Sequence, residues 1–447
     1  MFKTIAKAWS VKELRKKMLF TIFIVFIFRV GSHIPVPFLD VEALKALTEQ
    51  WSETNNMLAF VDTFSGGAFS NATLFAMSVT PYINSSIIMQ LLTVAIPALE
   101  ELAKQGTEGR KKIATITRYV TVGLGIIQGT AYYIYLLRSQ VKVADGSVKN
   151  IATYTGWNFE AVFAAIVIVL TFTAGTALMM WLGEQINQFG VGNGISILLF
   201  VGIIARLPFT LLALWENFQL GLNGDVQYVI YPIIFLVLFL IIIWVIVFMN
   251  DAERRIPVQY AKRMVGRKMY GGQSTYLPIK VGLSGVMPII FASSILSIPQ
   301  TILMFLDQNT LSDFWRGFFN VFTPRSWVYI GIYFVLIIGF AYFYVTIQYN
   351  PLEMSNNLRQ NNGTIPGIRP GKPTTEFISK IISRITLIGA LFLAFIAIVP
   401  LIFGNVTNMS GLMMGGTSVI ILVGVALETM RQLESQLMMR KYKGFLD

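Results

Sequence analysis

Residues 282–285 read GLSG, a pattern in which an intramembrane serine could act as a nucleophile if a base lay within about 3 Å. The only histidine in the chain is His33. Ser284 opens one hydrophobic stretch and His33 closes another. The charge distribution described below puts those two ends on opposite sides of a membrane, about 30 Å apart. Small residues that let helices approach closely account for GLSG without catalysis. Gly190, Gly192 and Gly194 in FGVGNG follow no strand and open an apolar helix, so they make no dinucleotide fingerprint. There is no GxxxxGK(S/T) loop to hydrolyse a nucleotide. There is also no cysteine, hence no disulfide and no thiolate metal site. These residues predict a non-enzyme with no catalytic residue, no metal and no cofactor.

The elements that carry them are membrane spans. The chain has 447 residues, of which 55% are hydrophobic and 13% charged, and its mean hydropathy is +0.63, far above that of a soluble domain. Apolar stretches fall near 19–37, 73–97, 113–137, 157–182, 193–209, 227–249, 282–306, 327–347, 382–403 and 411–430. Most reach the roughly 20 residues that a hydrocarbon layer demands, which predicts about ten spans. With the N-terminus inside, 27 of the 35 lysines and arginines fall in inner segments and seven in outer ones, with Arg29 near the outer end of the first span. That asymmetry predicts both termini on the cytosolic side, and it accounts for the net charge of +12 without nucleic acid.

An ion-coupled transporter of small solutes is the competing class. Such a protein needs ionisable residues near mid-membrane, where each costs at least about 2.5–3.5 kcal/mol. The interiors of the ten stretches hold no Asp or Glu; Glu160 and Glu184 fall at span ends. Instead, Ile83 and Ile87, and likewise Ile195 and Leu199, are four apart, so each pair shares one helix face. Asn84 and Gln90 beside the first pair should avoid lipid, so one side of that span faces protein or water. Ten spans permit two halves of five, and an odd-numbered unit can repeat only inverted.

Residues 1–18 alternate Phe2, Ile5, Trp9 and Leu14 with lysines and predict a helix lying on the inner surface. Two long basic loops follow the sixth and eighth stretches, about 250–280 and 348–380. Ile256, Val258 and Tyr260 alternate with polar residues in the first, a hairpin signal with Gly271-Gly272 as a turn. Asn-Gly and Pro-Gly pairs make the second turn-rich. NNMLAFVDTFSGGAFSN at 55–71 is too short to span. It could tuck back into the membrane only where protein or water satisfies its backbone.

GRKKIATITRY, MWLGEQINQFGVGNGISI, MPIIFASSI, PGIRPG and GGTSVIILV, in this order, closely resemble the SecY family of bacterial protein-translocase channels, and the resemblance covers essentially the whole chain. It implies an all-α integral membrane protein with about ten transmembrane helices in two inverted five-helix halves, 19–209 and 210–430, around a central pore. A cytosolic tail, 431–447, follows. Matching the motifs places a pore ring at Ile83, Ile87, Ile195, Leu199, Ile290 and Ile421. It also places a plug within about 59–71, centred on Phe64, Ser65, Gly66, Gly67, Ala68 and Phe69. A lateral gate toward lipid falls at Gln90, Thr93 and Ser294, with the polar residues of the second span facing it. Motor or ribosome contacts fall at Arg254, Arg255 and Arg369. The implied partners are SecE-like and SecG-like small subunits, a SecA motor ATPase, the ribosome, an unfolded preprotein with its signal peptide, and membrane lipid. Gly282, Gly285, Pro288 and Pro299 in the seventh span are expected bending points.

Overall fold

The computed structural model describes residues 2–54, 62, 65–142, 148–156, 158–222, 226–260, 263–265, 268–270, 274–306, 312–407 and 415–443. Inside a bilayer, only a helix or a closed barrel satisfies every backbone amide, and each long apolar stretch contributes a helix. The first half comprises α1 (Phe2–Ser10), α2 (Lys12–Gly31), α3 (Val41–Thr54), α4 (Thr80–Ala95), α5 (Pro97–Lys104) and α6 (Thr107–Arg138). A short hairpin of β1 (Gln140–Lys142) and β2 (Val148–Asn150) then leads to α7 (Phe159–Phe189) and α8 (Gly194–Leu222). The second half opens with α9 (Val226–Asp251), β3 (Glu253–Tyr260), β4 (Arg263–Val265), β5 (Lys268–Tyr270) and β6 (Ser274–Lys280). It continues through α10 (Met287–Phe305), α11 (Asp313–Val321), α12 (Trp327–Gln348), α13 (Pro351–Gln360), β7 (Gly363–Thr364), α14 (Lys372–Thr407) and α15 (Gly415–Lys443).

Seven of the described helices are long and apolar enough to cross a membrane alone, and α4 joins them if it is taken with α5, from which it is bent by 100°. Pro97 supplies the bend: it leaves Ile96 extended, at φ −109° and ψ 114°, because a residue before proline avoids the helical region. Helices α2 and α15 complete ten spans, each apolar at one end and charged at the other.

The helix pairings reveal the two halves. In the first, α2 packs on α7 and α8, α4 on α6 and α7, and α7 on α6 and α8. In the second, α9 packs on α14 and α15, α10 on α12 and α14, and α14 on α12 and α15. Numbering the spans one to five within each half gives the same set of pairings twice. Between the halves, α8 meets α9 and α15 on one flank, and α10 meets α4 and α6 on the other.

Several sequence expectations shift. The surface helix expected over 1–18 breaks at Val11, whose backbone is extended at φ −86° and ψ 113°, so Lys12 already begins the spanning helix α2. The stretch 73–97 is helical only from Thr80; before it the chain winds through turns, with left-handed φ at Gly66, Gly67, Ala72 and Ser78. Of the four expected bending points in the seventh span, only Pro299 lies inside α10. Pro288 occupies its first turn, where proline is tolerated, and Gly282 and Gly285 precede the helix. The fifth span continues past 209 to Leu222 with Pro208 inside it.

The two long loops fold on each other. In the first, β3 pairs with β6 antiparallel, Ile256 opposite Leu277, while β7 of the second loop adds to the other edge of β3. Ile256 and Val258 turn inward and pack with Leu358, Ile365 and Ile378 in one cluster. The shorter β4–β5 pair is also formed, whereas Gly271 and Gly272 lie outside the described residues. The second loop is not turn-rich throughout, because Asn350 caps α13 by accepting from the backbone N–H of Leu352 and Glu353.

Candidate functional site

Where the halves meet, the interior is apolar and rich in aliphatic side chains. Leu199 on α8, Ile290 on α10 and Ile421 on α15 are buried members of one continuous core, and Ile83 and Ile195 pack against it. Ile87, one turn beyond Ile83 on α4, is 4% exposed. Ile195 is shared with another contact. Its Cδ1 lies over Gly183 of α7, where an added Cβ would come within 2.5 Å of it, so that side chain also fills the α7–α8 interface.

The turns running from Ser65 to Val79 pack into this core through Ala68, Phe75 and Val79. Phe64 lies outside the described residues. Asp62, 5% exposed, organises the segment. Its Oδ1 accepts from the Ser70 N–H at 2.7 Å and its carbonyl accepts from the Gly67 N–H at 3.1 Å. Ser65 Oγ accepts from the Phe69 N–H at 2.9 Å. Gly66, at φ +66°, presses against α8: an added Cβ would meet the Gly202 Cα at 3.0 Å and its carbonyl oxygen at 3.1 Å. No larger residue fits that backbone and that space.

Side chains of three spans reach the segment. Arg206 of α8 pairs with the Asp62 carboxylate and donates to Ser70 Oγ at 3.1 Å. Its guanidinium also lies 5.7 Å from the Phe209 ring, a favourable cation–π placement. Arg29 of α2 donates to the Gly66 carbonyl at 3.4 Å. Tyr132 of α6 donates to the Phe69 carbonyl at 2.6 Å and stacks on the Phe69 ring at 4.3 Å between centroids. Sequence reasoning assigned Arg206 to an outer segment and Arg29 to a span end. Neither was linked to the segment around Asp62 and Gly66, because pairing across so much chain leaves no local signal. The cost of an arginine at membrane depth was the clue available.

Gln90 and Thr93 lie on α4 and Ser294 on α10, two helices that meet between the halves. Gln90 Nε2 donates to Ser86 Oγ at 3.2 Å and Thr93 Oγ1 to the Met89 carbonyl at 2.6 Å, both within α4. Ser294 is 8% exposed on α10. Ser85 of α4 donates to the Thr117 carbonyl of α6 at 2.8 Å, a bond within the first half. At the end nearer Phe305 the flank is bridged by Arg138 of α6, which donates to the Phe305 carbonyl of α10 at 3.0 Å.

At the end that carries both termini, α1 packs on α15, and Thr4 Oγ1 donates to Glu434 at 3.1 Å. Arg254 and Arg255 are exposed on β3, the latter held by Glu253 at 2.7 Å. Arg369 is exposed in a turn between Gly367 at φ +81° and Gly371 at φ +104°. Thr374 Oγ1 donates to the Arg369 carbonyl at 2.9 Å and fixes that turn. Since β3 and β7 share a sheet, the three arginines belong to one folded unit. No group of three or more His, Cys, Asp or Glu able to hold a metal occurs among the described residues.

The comparisons agree with this geometry. The SecY family model matches residues 73–430. The chain is 43% identical to a protein translocase subunit SecY of Streptomyces scabiei, over all of both chains. Two solved structures share the fold at low identity. One, a SecY protein whose plug domain is described as stabilising the closed translocation channel, is 17% identical with a TM-score of 0.61, over 94% of this chain and 92% of that one. The other is Sec61 in a canine ribosome–channel complex, 15% identical with a TM-score of 0.57, over the same shares. Two five-helix halves around an aliphatic core, with full-length identity to translocase subunits, mean that the chain belongs to the SecY family of protein-conducting channels.

Proposed function

We infer that this chain is the pore subunit through which unfolded preproteins cross the bacterial cytoplasmic membrane and from which apolar segments leave sideways into lipid. One arrangement carries the reading: a largely apolar core fed by both halves, with an irregular segment packed on it. A ring of branched aliphatic groups dewets and blocks ions, yet it offers nothing to hold a passing chain of any sequence. Ile83, Ile87, Ile195, Leu199, Ile290 and Ile421 are its members. The segment of about 59–71, centred on residues 64–69, is the plug. The α4/α6–α10 flank, with Gln90, Thr93 and Ser294, is the lateral gate. A small-solute transporter finds no support in the family.

The basic end faces the cytosol, and both termini lie there, by the excess of lysine and arginine. Arg254, Arg255 and Arg369, displayed on one rigid unit, form the contact for a SecA-like motor or a ribosome. Guanidinium groups suit this because they offer planar, multi-donor recognition of carboxylates and phosphates. SecE-like and SecG-like subunits complete the complex. The test is reconstitution with those subunits and the motor in vesicles. A preprotein should become protease-protected when ATP is added, and Arg369→Ala should slow that protection while the channel still inserts. Absence of protected preprotein from the unsubstituted complex would overturn the reading.

A further inference from the structure

We propose that Asp62, Arg206 and Arg29 form an ionic latch that sets how strong a signal sequence must be to open the channel. The proposal rests on the plug reading above and adds what holds the plug shut. Asp62 is buried, yet its carboxylate serves two masters: Oδ1 shapes the segment through the Ser70 N–H, and the carboxylate also receives Arg206 from α8. Arg206 grips the segment a second time at Ser70 Oγ. Arg29 takes the Gly66 carbonyl, so the two adjacent glycines are each met by a guanidinium: an added Cβ would lie 3.2 Å from Arg29 Nη1 at Gly66 and 3.5 Å from the Arg206 guanidinium carbon at Gly67.

The neighbouring plug contacts made by Tyr132 and by the core at Ala68 are a neutral hydrogen bond, ring stacking and apolar packing. Those are short-ranged and non-directional apart from one bond, and any displacement weakens them gradually. A buried ion pair differs, because separating it leaves two unpaired charges in a poorly solvated place. The pair therefore gives the closed state a threshold. Both arginines sit on α2 and α8, which pack on each other in the first half, so their positions are fixed by the same scaffold against which the plug rests. A signal sequence that opens the channel must separate Asp62 from Arg206, or shift α8 relative to the segment, before the plug can leave.

The experiment uses the full complex in vesicles, with Ala68→Cys as the sole thiol in this subunit; Ala68 is 0% exposed and the chain has no cysteine of its own. A membrane-impermeant maleimide reports whether the plug is seated. Arg206→Gln and Asp62→Asn should each raise resting labelling at least about tenfold, since stranding one partner of a buried pair shifts an equilibrium by more than a decade. Both should also let a preprotein with a weakened signal sequence translocate. Arg206→Lys, which keeps a positive charge opposite the Asp62 carboxylate, should hold labelling well below that of Arg206→Gln, which separates a charge latch from damage to folding. Labelling that rises only when a jammed preprotein occupies the channel, and is unchanged by the substitutions, would overturn the latch and leave the plug. Labelling absent even with the jammed preprotein would overturn the plug reading and the latch with it.

Discussion

Ile421 is 1% exposed in the core shared by the two halves, and its side chain carries no polar atom. Ile421→Asn puts an amide there, which costs roughly 1–3 kcal/mol when it finds no partner and can gain that back only by admitting water. The expected outcome is a rise in resting ion conductance of vesicles containing the complex, recorded in a planar bilayer without preprotein. Unchanged conductance would place Ile421 outside the constriction. At this scale the sequence showed which faces are aliphatic, since residues four apart must share a side. It could not show that Ile195 also serves the α7–α8 contact, because the partner is Gly183, which has no side chain to announce a pairing. The Asp62–Arg206 pair was equally hidden.

Local rules settled the elements as far as local rules reach. Span length and hydropathy located ten helices, and alternation at Ile256 and Val258 found β3. Hydropathy alone could not stop the second span at Thr80 on one side and Ile96 on the other; the left-handed turns before it are apolar too, so composition does not mark the boundary. Nor could it show that two loops remote in sequence share a sheet, which depends on Gln259 meeting Thr364. One very close element contact is between α7 and α8, where a Cβ on Gly194 would come within 1.9 Å of the Gly183 carbonyl oxygen. Gly194→Ala must push the two helices apart, at about 1–3 kcal/mol for an overpacked site and occasionally more. A clear fall in the thermal unfolding midpoint in detergent, measured beside Gly123→Ala where nothing lies within 4 Å, checks this. Equal midpoints would mean the helices are not so close.

For the whole molecule, the repeated set of helix pairings makes each half a rigid partner of the other, with α8–α9 on one flank and α10 against α4 and α6 on the opposite one. The consecutive helices α8 and α9 are joined by chain, so the flank that can part is the one bridged by side chains such as Arg138. The proposed lateral gate is a seam on that flank, and the central claim is that a polypeptide passes through the apolar core. Single cysteines test it most directly, because this subunit contains none. The cysteines replace Leu199, Ile290, Ile421 and, as a control, Ile241, which is 54% exposed on α9. A stalled preprotein carrying one mid-chain cysteine then meets each in turn under mild oxidation. Disulfides need Cβ atoms about 3.5–4.5 Å apart, so only residues lining the path can form them. The account predicts adducts at Leu199, Ile290 and Ile421 and none at Ile241; adducts at none of the three, or equally at all four, would contradict it.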